Sequence, residues 1–255
     1  MPKFAANLTM MFNEWEFLDR FAAASDAGFT AVEFLFPYAF AADAIAERLR
    51  RHGLKQVLFN LPPGNWDAGE RGLAALPGRE KDFAASLATA LPYVLATGVP
   101  RVHLMSGNAS RRDPAALAAY KSALQKACEL FHANGAEVII EPLNPRDMPG
   151  YLLNDFGFAA DLIAELKLPN LKLQYDIYHR QILHGDVLKS LDALLPVIGH
   201  IQVASVPKRH EPGTGELNDA AIFKHLDAIG YAGFVGCEYR PAAGTLAGLA
   251  WMDKT

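Results

Sequence analysis

A turn followed within a few residues by an apolar, strand-like run recurs along this chain, and this repeat constrains the fold more than any other feature. Glycine readily adopts the left-handed conformation in which helices end, so a glycine before an apolar run predicts a helix end and a strand start. A Pro-Asn pair takes this place once. The turns are Gly28, Gly53, Gly98, Gly135, Pro169-Asn170, Gly199 and Gly230.

The runs that follow these turns, together with the opening run, predict about eight strands separated by Ala-rich segments of helical length. The predicted strands are 4–8, 30–36, 55–60, 101–105, 137–141, 171–176, 200–204 and 234–239. The predicted helices are 14–27, 42–51, 80–97, 114–133, 156–166, 187–195, 219–229 and a short 245–252. Two helix starts are well marked, because Asp113-Pro114 and Asn218-Asp219 have the residue types preferred there.

This alternation predicts the α/β class, with a parallel sheet closed as a (β/α)8 TIM barrel that forms a single domain over residues 1–255. An open doubly wound sheet is the alternative. It needs fewer strands, and its phosphate-binding first turn is rich in glycine, whereas residues 7–11 (NLTMM) contain none. The connections 61–78 and 205–217 are longer than the rest and follow strands, so we expect functional loops there instead of plain surface loops.

The composition excludes several classes of partner. The chain is 51% hydrophobic and 20% charged, as in a soluble globular protein, and its formal net charge is -4. Its longest basic cluster is Lys208-Arg209-His210, so we expect no nucleic-acid partner. We also expect no signal peptide and no membrane-spanning segment. The two cysteines, Cys128 and Cys237, are then expected to be reduced thiols of a cytoplasmic protein.

Most predicted strands end in a polar residue. In a barrel the carboxyl ends of all strands open into one pocket, so residues distant in sequence are expected to be neighbours there. These residues are Asn7, Glu33, Asn60, Glu141, Asp176, Gln202 and Glu238, while the fourth strand offers His103 or Ser106. Side chains alternate along a strand, so an inward Glu238 directs Cys237 outward, and we do not expect that cysteine to be a nucleophile.

Three of these strand ends carry carboxylates. Three carboxylates in one pocket either raise a pKa strongly or bind a cation. Together with one amide oxygen they form an all-oxygen set, which suits Mg2+ or Mn2+ better than zinc. We therefore predict a divalent metal ion held by Glu141, Asp176, Gln202 and Glu238. The alternative is that some of these residues form salt bridges with Arg or Lys at the rim.

Seven blocks spread over essentially the whole chain carry a resemblance to a known family. They are NLTMMF (7–12), AVEFLFPY (31–38), AGERGLAALPGRE (68–80), IEPLN (140–144), QYDIYH (174–179), EPGTGELN (211–218) and GCEY (236–239). These blocks resemble the hydroxypyruvate isomerase family, which includes 2-oxotetronate isomerases and belongs to the xylose-isomerase-like TIM barrels. Some hydroxypyruvate isomerases have His before the Asn-Leu-Pro segment. Here that residue is Phe59, and the opening sequence resembles the 2-oxotetronate branch more closely.

The resemblance implies roles for individual residues. It makes Glu141 and Glu238 the pair of glutamates that transfer protons, and it makes the four predicted ligands the metal shell. Superfamily members commonly have His at the position of Gln202, and a neutral amide is a weaker ligand. His179 and Arg209 match positions that contact the oxygens of the substrate.

Isomerase chemistry suits these residue types. Moving a carbonyl to the adjacent carbon of an α-hydroxy carbonyl compound removes one carbon-bound proton and returns another, through an enediolate. Two glutamates supply base and acid, and a cation spreads the developing charge. Arg209 can bind a substrate carboxylate through two oxygens, although a solvated basic loop is the alternative. Asn7 and Glu70 are predicted to contact the substrate too, Glu70 as part of a lid formed by loop 61–78.

We therefore expect an enzyme that isomerises a small 2-oxo-3-hydroxy acid, such as hydroxypyruvate to tartronate semialdehyde or 2-oxotetronate to 3-oxotetronate. A ketose 3-epimerase is the first alternative, since it would use the same glutamates on a single carbon. A zinc-dependent abasic-site endonuclease is the second, although it needs a histidine cluster and a basic face. A non-catalytic sugar-acid binder is the third. The partner is expected to be a small acid sugar, and a homo-oligomer is possible.

Overall fold

The computed structural model describes residues 2–254, and it contains the predicted barrel. Eight parallel strands form one closed sheet in which each strand pairs with the next and β8 pairs back to β1. The strands are β1 Lys3–Asn7, β2 Ala31–Glu33, β3 Lys55–Asn60, β4 Arg101–His103, β5 Glu137–Ile140, β6 Leu171–Asp176, β7 Ile198–Val203 and β8 Phe234–Cys237. The (β/α)8 prediction is therefore confirmed.

Helices connect the strands and pack outside the barrel. They are α1 Arg20–Asp26, α2 Ala42–Arg51, α3 Glu80–Thr97, α4 Pro114–His132, α5 Phe156–Leu166, α6 Ile177–Leu183, α7 Val187–Leu194, α8 Asp219–Ala228 and α9 Thr245–Gly248. The marked starts are confirmed, because the side chains of Asp113 and Asn218 accept hydrogen bonds from the first turns of α4 and α8. Within residues 2–254, no helix has both the length and the apolar character needed to cross a membrane.

Three local predictions were wrong. The first helix begins at Arg20 instead of residue 14: a short 3-10 turn, Phe17–Asp19, precedes it, and the Glu14 carboxylate accepts hydrogen bonds from the backbone N–H and hydroxyl of Thr245. An additional helix, α6, follows β6 without a loop. Gly199 ends no helix but lies inside β7. A Cβ there would approach the Cβ of Lys172 to 2.7 Å, so this glycine permits close strand packing.

The core contains two apolar clusters. The smaller one comprises Ala5, Ala31, Val57, Leu58 and Ile139, and in β5 the neighbouring residues Ile139 and Ile140 lie in different clusters, as the predicted alternation of side chains requires. A much larger cluster between strands and helices includes Ile140 and Cys237. Residues adjacent to these outward-facing side chains, Glu141 and Glu238, are thereby directed toward the barrel axis. Both cysteines are buried and form no disulfide.

Candidate active site

A cavity of about 420 Å³ opens at the carboxyl ends of the strands. Its volume lies within the range of small-molecule sites. Glu141, His179, Arg209 and Glu238, all predicted from the sequence, line it together with His103. Asp176 lies directly behind Arg209 and is fully buried. We refer to these residues, Glu141, Asp176, His179, Arg209, Glu238 and His103, as the rim cluster.

Arg209 is the cation at the centre of the rim cluster. Its Nη2 donates to Glu238 Oε2 at 2.8 Å and lies 3.4 Å from Asp176 Oδ2. The guanidinium also stacks over the ring of Tyr178, 4.8 Å from its centroid. Its backbone has a φ of 56°, which is unfavourable for a residue with a side chain and is a feature typical of functional sites. Hydrogen bonds at both its N–H (to Ser205) and its carbonyl (from Arg240) hold it there.

The helix that the sequence did not predict places His179. Asp176 ends β6, and its Oδ1 accepts the backbone N–H of Tyr178, which caps α6. His179 is therefore in the first turn of α6, where its Nε2 lies 3.6 Å from Asp176 Oδ2 and 4.0 Å from Glu141 Oε1. A strand end followed at once by a capped helix thus brings both predicted residues to one point.

Asn144 fixes which ring nitrogen of His179 carries a proton. The backbone N–H of Asn144 lies 3.1 Å from His179 Nδ1, and its side-chain nitrogen lies 2.7 Å from the same atom. Since a backbone N–H can only donate, Nδ1 is an acceptor and the neutral ring has its hydrogen on Nε2. Burial, together with Arg209 and His103, holds the pKa of His179 well below its usual value, so the ring is neutral. Its Nε2–H is a hydrogen-bond donor into the cavity.

Burial shifts the pKa values of the acids upward. The pKa of Glu141 is raised well above its usual value by burial and by the neighbouring charges of Glu238 and Asp176. Burial raises the pKa of Glu238 to about 8 and that of Asp176 to about 6, and Arg209 opposes both shifts. Burial also lowers the pKa of His103 to about 3, so this ring is neutral and faces Glu141 Oε2 at 3.7 Å. Raised carboxyl pKa values are typical of proton-transferring groups.

A second polar cluster lies deeper in the barrel, and two of the predicted site residues belong to it. Its members are Asn7, Glu33, Gln174, His200 and Gln202, which we call the interior cluster. The Glu33 carboxylate accepts hydrogen bonds from Asn7 Nδ2 at 2.9 Å and Gln202 Nε2 at 2.7 Å, and it pairs with His200 Nε2 at 2.6 Å. A Cβ at position 236 would overlap this carboxylate, so the cluster requires Gly236.

The carboxylate of Glu33 sets the orientation of the Gln202 amide. A carboxylate only accepts, so the NH2 group of Gln202 faces Glu33 and its oxygen faces Gln174, whose Nε2 lies 2.5 Å away. The amide oxygen that the metal prediction requires therefore already accepts a hydrogen bond. Within the described residues, Gln202 and Asn7 are not among the side chains that line the cavity.

The predicted all-oxygen metal shell does not fit this arrangement. The Gln202 oxygen is directed to Gln174, and Arg209 already supplies a positive charge to Asp176 and Glu238. In the described chain, one group of side chains is close enough to hold an ion, namely Glu141, Asp176 and His179, with ligand atoms within 4.8 Å of one another. Its imidazole presents Nε2–H, which is a donor and not a lone pair.

Loop 61–78 contributes Trp66, and not Glu70, to the cavity wall. Among the described residues, Glu70 interacts within the loop region, with Arg79 Nη1 at 2.5 Å and the backbone N–H of Asn65 at 2.6 Å. Arg71 stacks over Trp66 at 3.7 Å. Glu70 thus braces the segment that presents Trp66, and direct substrate contact by Glu70 stays a prediction.

Sequence reasoning missed two residues and left one choice open. It could not choose between His103 and Ser106, and it passed over Asn144 and Arg240. The pattern that could have found Asn144 is its position just after Glu141, at the carboxyl end of β5. Phe59, which suggested a substrate branch, packs against Tyr93 on the outside of the barrel, 6.1 Å between ring centroids, and does not reach the cavity.

A closed barrel with buried acids at the carboxyl ends of β5, β6 and β8 defines a TIM-barrel enzyme with its site at the usual face. Residues 21–255 match the family model described as xylose isomerase-like TIM barrel, and the chain belongs to this family.

Within the family, the similarity to the hydroxypyruvate isomerases that the sequence blocks indicated is confirmed. A curated relative from Cupriavidus necator, named 2-oxo-tetronate isomerase, is 52% identical and aligns over 99% of this chain and 98% of its own length. One from Escherichia coli, named hydroxypyruvate isomerase, is 40% identical over 99% of both chains. A crystal structure from Brucella melitensis, described as an AP endonuclease of family 2, has a TM-score of 0.97 and 47% identity and covers 100% of this chain and 99% of that one.

Proposed function

We propose that this protein is an isomerase of small 2-oxo-3-hydroxy acids, with 2-oxotetronate and 3-oxotetronate as its substrate pair. The observation that carries the proposal is a pair of buried glutamates with raised pKa values, Glu141 and Glu238, lining one cavity. The names of the curated relatives support the reaction, and the 52% identical relative supports the four-carbon substrate.

The two glutamates divide the roles of base and acid. Glu238 is the easier of the two to ionise, because Arg209 donates to it, whereas Glu141 Oε1 has no hydrogen-bond partner among the described residues. Glu238 takes the proton from C3, the C–H electron pair forms the C2–C3 double bond, and the C2 oxygen gains the negative charge. Glu141 then delivers its proton to C2, while the C3 hydroxyl proton passes to the C2 oxygen and C3 becomes the carbonyl.

The remaining rim residues stabilise the charge that develops on the oxygens. His179 offers Nε2–H from a neutral ring, which stabilises an enediolate oxygen without first giving up a proton. Arg209 adds a positive charge, and its Nε is buried without a partner among the described residues. Trp66 forms part of the cavity wall, where it limits the access of water to the intermediate. Chelation tests whether the reaction also requires the divalent ion predicted from the sequence.

The test is to incubate the purified protein separately with 2-oxotetronate, hydroxypyruvate and free ketoses, and to follow each mixture by NMR. The expected result is conversion of 2-oxotetronate to 3-oxotetronate, with deuterium at C2 when the solvent is D2O, because the acid that delivers the proton exchanges with solvent. Turnover of free ketoses alone would instead identify a 3-epimerase. Binding of the acid without turnover would leave only a binding role.

An endonuclease role is the second candidate, because the 47% identical structure from Brucella melitensis is described as an AP endonuclease. The chain does not favour it: its formal net charge is -4, and the one candidate ion group in the described residues contains a single histidine. Incubation with an abasic-site oligonucleotide and added zinc separates the two functions. Strand cleavage at a rate comparable to that of acid isomerisation would favour the endonuclease.

A further inference from the structure

Two cations at the mouth of the cavity have no assigned task. Lys208 and Arg240 line the cavity, and both are exposed. Within the described chain, neither side chain has an ion-pair or hydrogen-bond partner. The backbone of Arg240 is nevertheless fixed, since its N–H donates to the carbonyl of Arg209 and its carbonyl accepts from His210 Nδ1 at 2.8 Å. The guanidinium therefore extends from an anchored position.

Arg209, the cation first expected to bind the substrate carboxylate, is already committed. Its guanidinium is shared between Glu238 and Asp176, and its pKa is raised by these acids and by Glu141 despite burial. A carboxylate placed beside it would compete with two protein carboxylates, those of Glu238 and Asp176. Like charges at close range are unfavourable, so the anionic end of a substrate requires a cation outside this group.

We propose that Arg240, assisted by Lys208, binds the carboxylate of the substrate at the cavity mouth and selects acid sugars over neutral ones. The guanidinium can bind both oxygens of a carboxylate at once, while the lysine adds charge. With the carboxylate held there, C2 and C3 extend inward toward Glu141 and Glu238. This assignment rests on the proposed function, because it names the group of that substrate which the site recognises.

Arg240 also connects the cavity with a neighbouring recess. The recess has a volume of about 700 Å³ and shares Met10, Leu35, Trp66 and Arg240 with the cavity. An anion that enters through the recess therefore reaches Arg240 before it passes Trp66 into the buried part of the cavity. Recognition of the carboxylate at this point therefore orients the substrate as it enters, with its reactive carbons leading.

The test compares Arg240→Gln and Lys208→Gln with Arg50→Gln, which removes the same charge from an exposed position on α2. For the four-carbon acid, Arg240→Gln should raise KM by about 10- to 100-fold, the range for a lost charge-assisted hydrogen bond, and change kcat little. Lys208→Gln should raise KM by less. Turnover of erythrulose, a four-carbon ketose without a carboxylate, should change equally little in all three variants. The preference for the acid over the ketose should therefore fall only in the Arg240 and Lys208 variants. Methylguanidinium should restore part of the lost affinity in Arg240→Ala.

An acid KM for Arg240→Gln within about twofold of that of Arg50→Gln would overturn the assignment, as would an equal loss for acid and ketose. Calorimetric binding of erythronate, an unreactive four-carbon acid, covers the case in which no acid is turned over. Loss of erythronate binding in Arg240→Gln but not in Arg50→Gln would then support the anion site while the isomerase proposal fails. Equal binding by both variants would overturn the anion site itself.

Discussion

The rim cluster and the deeper interior cluster both contain buried carboxyl and imidazole groups, but they satisfy their polar groups differently. In the interior cluster one carboxylate, Glu33, has three partners. In the rim cluster two carboxyls, Asp176 and Glu238, share the single guanidinium of Arg209, and Glu141 Oε1 has no hydrogen bond among the described residues. Both His103 ring nitrogens are also unpaired there. The interior cluster is not free of gaps, since Gln174 Oε1 and His200 Nδ1 lack partners as well.

This difference distinguishes the interior cluster, which stabilises the fold, from the rim cluster, which is suited to proton transfer. A buried acid whose oxygens are all bonded fixes the positions of its neighbours, and its removal leaves their donors unpaired. A buried carboxylate with too little positive charge beside it is unstable in its ionised form. This instability raises its pKa and equips it to exchange protons. Burial and residue type alone do not distinguish the two cases. The count of hydrogen-bond partners does.

The largest expected effect is on turnover, from Glu141→Gln and Glu238→Gln. Each change removes a proton-transferring group and retains the shape, so kcat should fall by about 10²- to 10⁴-fold. Thermal unfolding of Glu141→Gln should occur at or above the wild-type temperature near neutral pH, because this change removes a poorly solvated carboxyl. Glu165→Gln, on an exposed ion pair with Lys121, is the control and should leave both quantities nearly unchanged. Near-normal turnover in both rim variants would contradict the proposed mechanism.

The opposite outcome is expected for Glu33→Gln in the interior cluster. Asn7 and Gln202 both donate to Oε1, and His200 pairs with Oε2. An amide at this position must turn its NH2 group toward one of these two sides, and the hydrogen bonds that remain lose the charge of the carboxylate. Urea titration should show a loss of about 2–4 kcal/mol in the free energy of unfolding. A fall in kcat as large as that of Glu141→Gln, with no loss of stability, would show that the two clusters do not differ in the way described.

How far the sequence predicts these clusters depends on which physical signal each residue carries. The apolar period and the turns predicted all eight strands, and strand ends predicted Glu141, Asp176 and Glu238 as neighbours. These signals are local. The role of Gln202 depends on what its amide group contacts. That is decided by the Glu33 carboxylate and the Gln174 amide, which lie on other strands. No spacing within the chain contains that information.

The residues at the mouth of the cavity illustrate the same limit. Arg240 follows Glu238 by two positions and has the appearance of a charged surface residue after a strand. Its proximity to Arg209 results from a backbone hydrogen bond between the loops that follow β7 and β8. A non-glycine residue with positive φ, such as Arg209, also has no reliable signature in sequence. These positions had to be read from the fold.

An effect of intermediate size is expected when the pH is changed, and it should move activity and stability in opposite directions. In the folded protein burial raises the pKa of Glu238 from 4.5 to about 8. The folded state therefore binds more protons than the unfolded state between these values, so stability is highest near the lower one and falls as pH rises toward 8. Activity should rise over the same range, because Glu238 must be ionised to act as the base. Unfolding temperatures and kcat/KM measured from pH 5 to 9 test this.

The variant Glu238→Gln is the control for that profile, because it lacks the titrating group. Its unfolding temperature should decline less between pH 5 and 8 than that of the wild type. An equal decline in both proteins would assign the pH dependence to other groups, of which Asp176, with a pKa raised to about 6, is the first to examine. The rim cluster would then still be the origin of the effect.

The smallest effect is expected from removal of divalent metal. Arg209 supplies positive charge to Asp176 and Glu238, and the fourth predicted ligand, Gln202, is held by the interior cluster. Dialysis against a chelator should therefore change kcat by less than about twofold, since hard ions need several free oxygen ligands. A loss of more than about tenfold that Mg2+ or Mn2+ restores would show that the carboxyls bind an ion in place of Arg209. Gln202→His offers an imidazole at this position, and its metal content can be compared with that of the wild type. Ion binding by this variant alone would show that the hydrogen bonds of the interior cluster prevent Gln202 from acting as the fourth ligand.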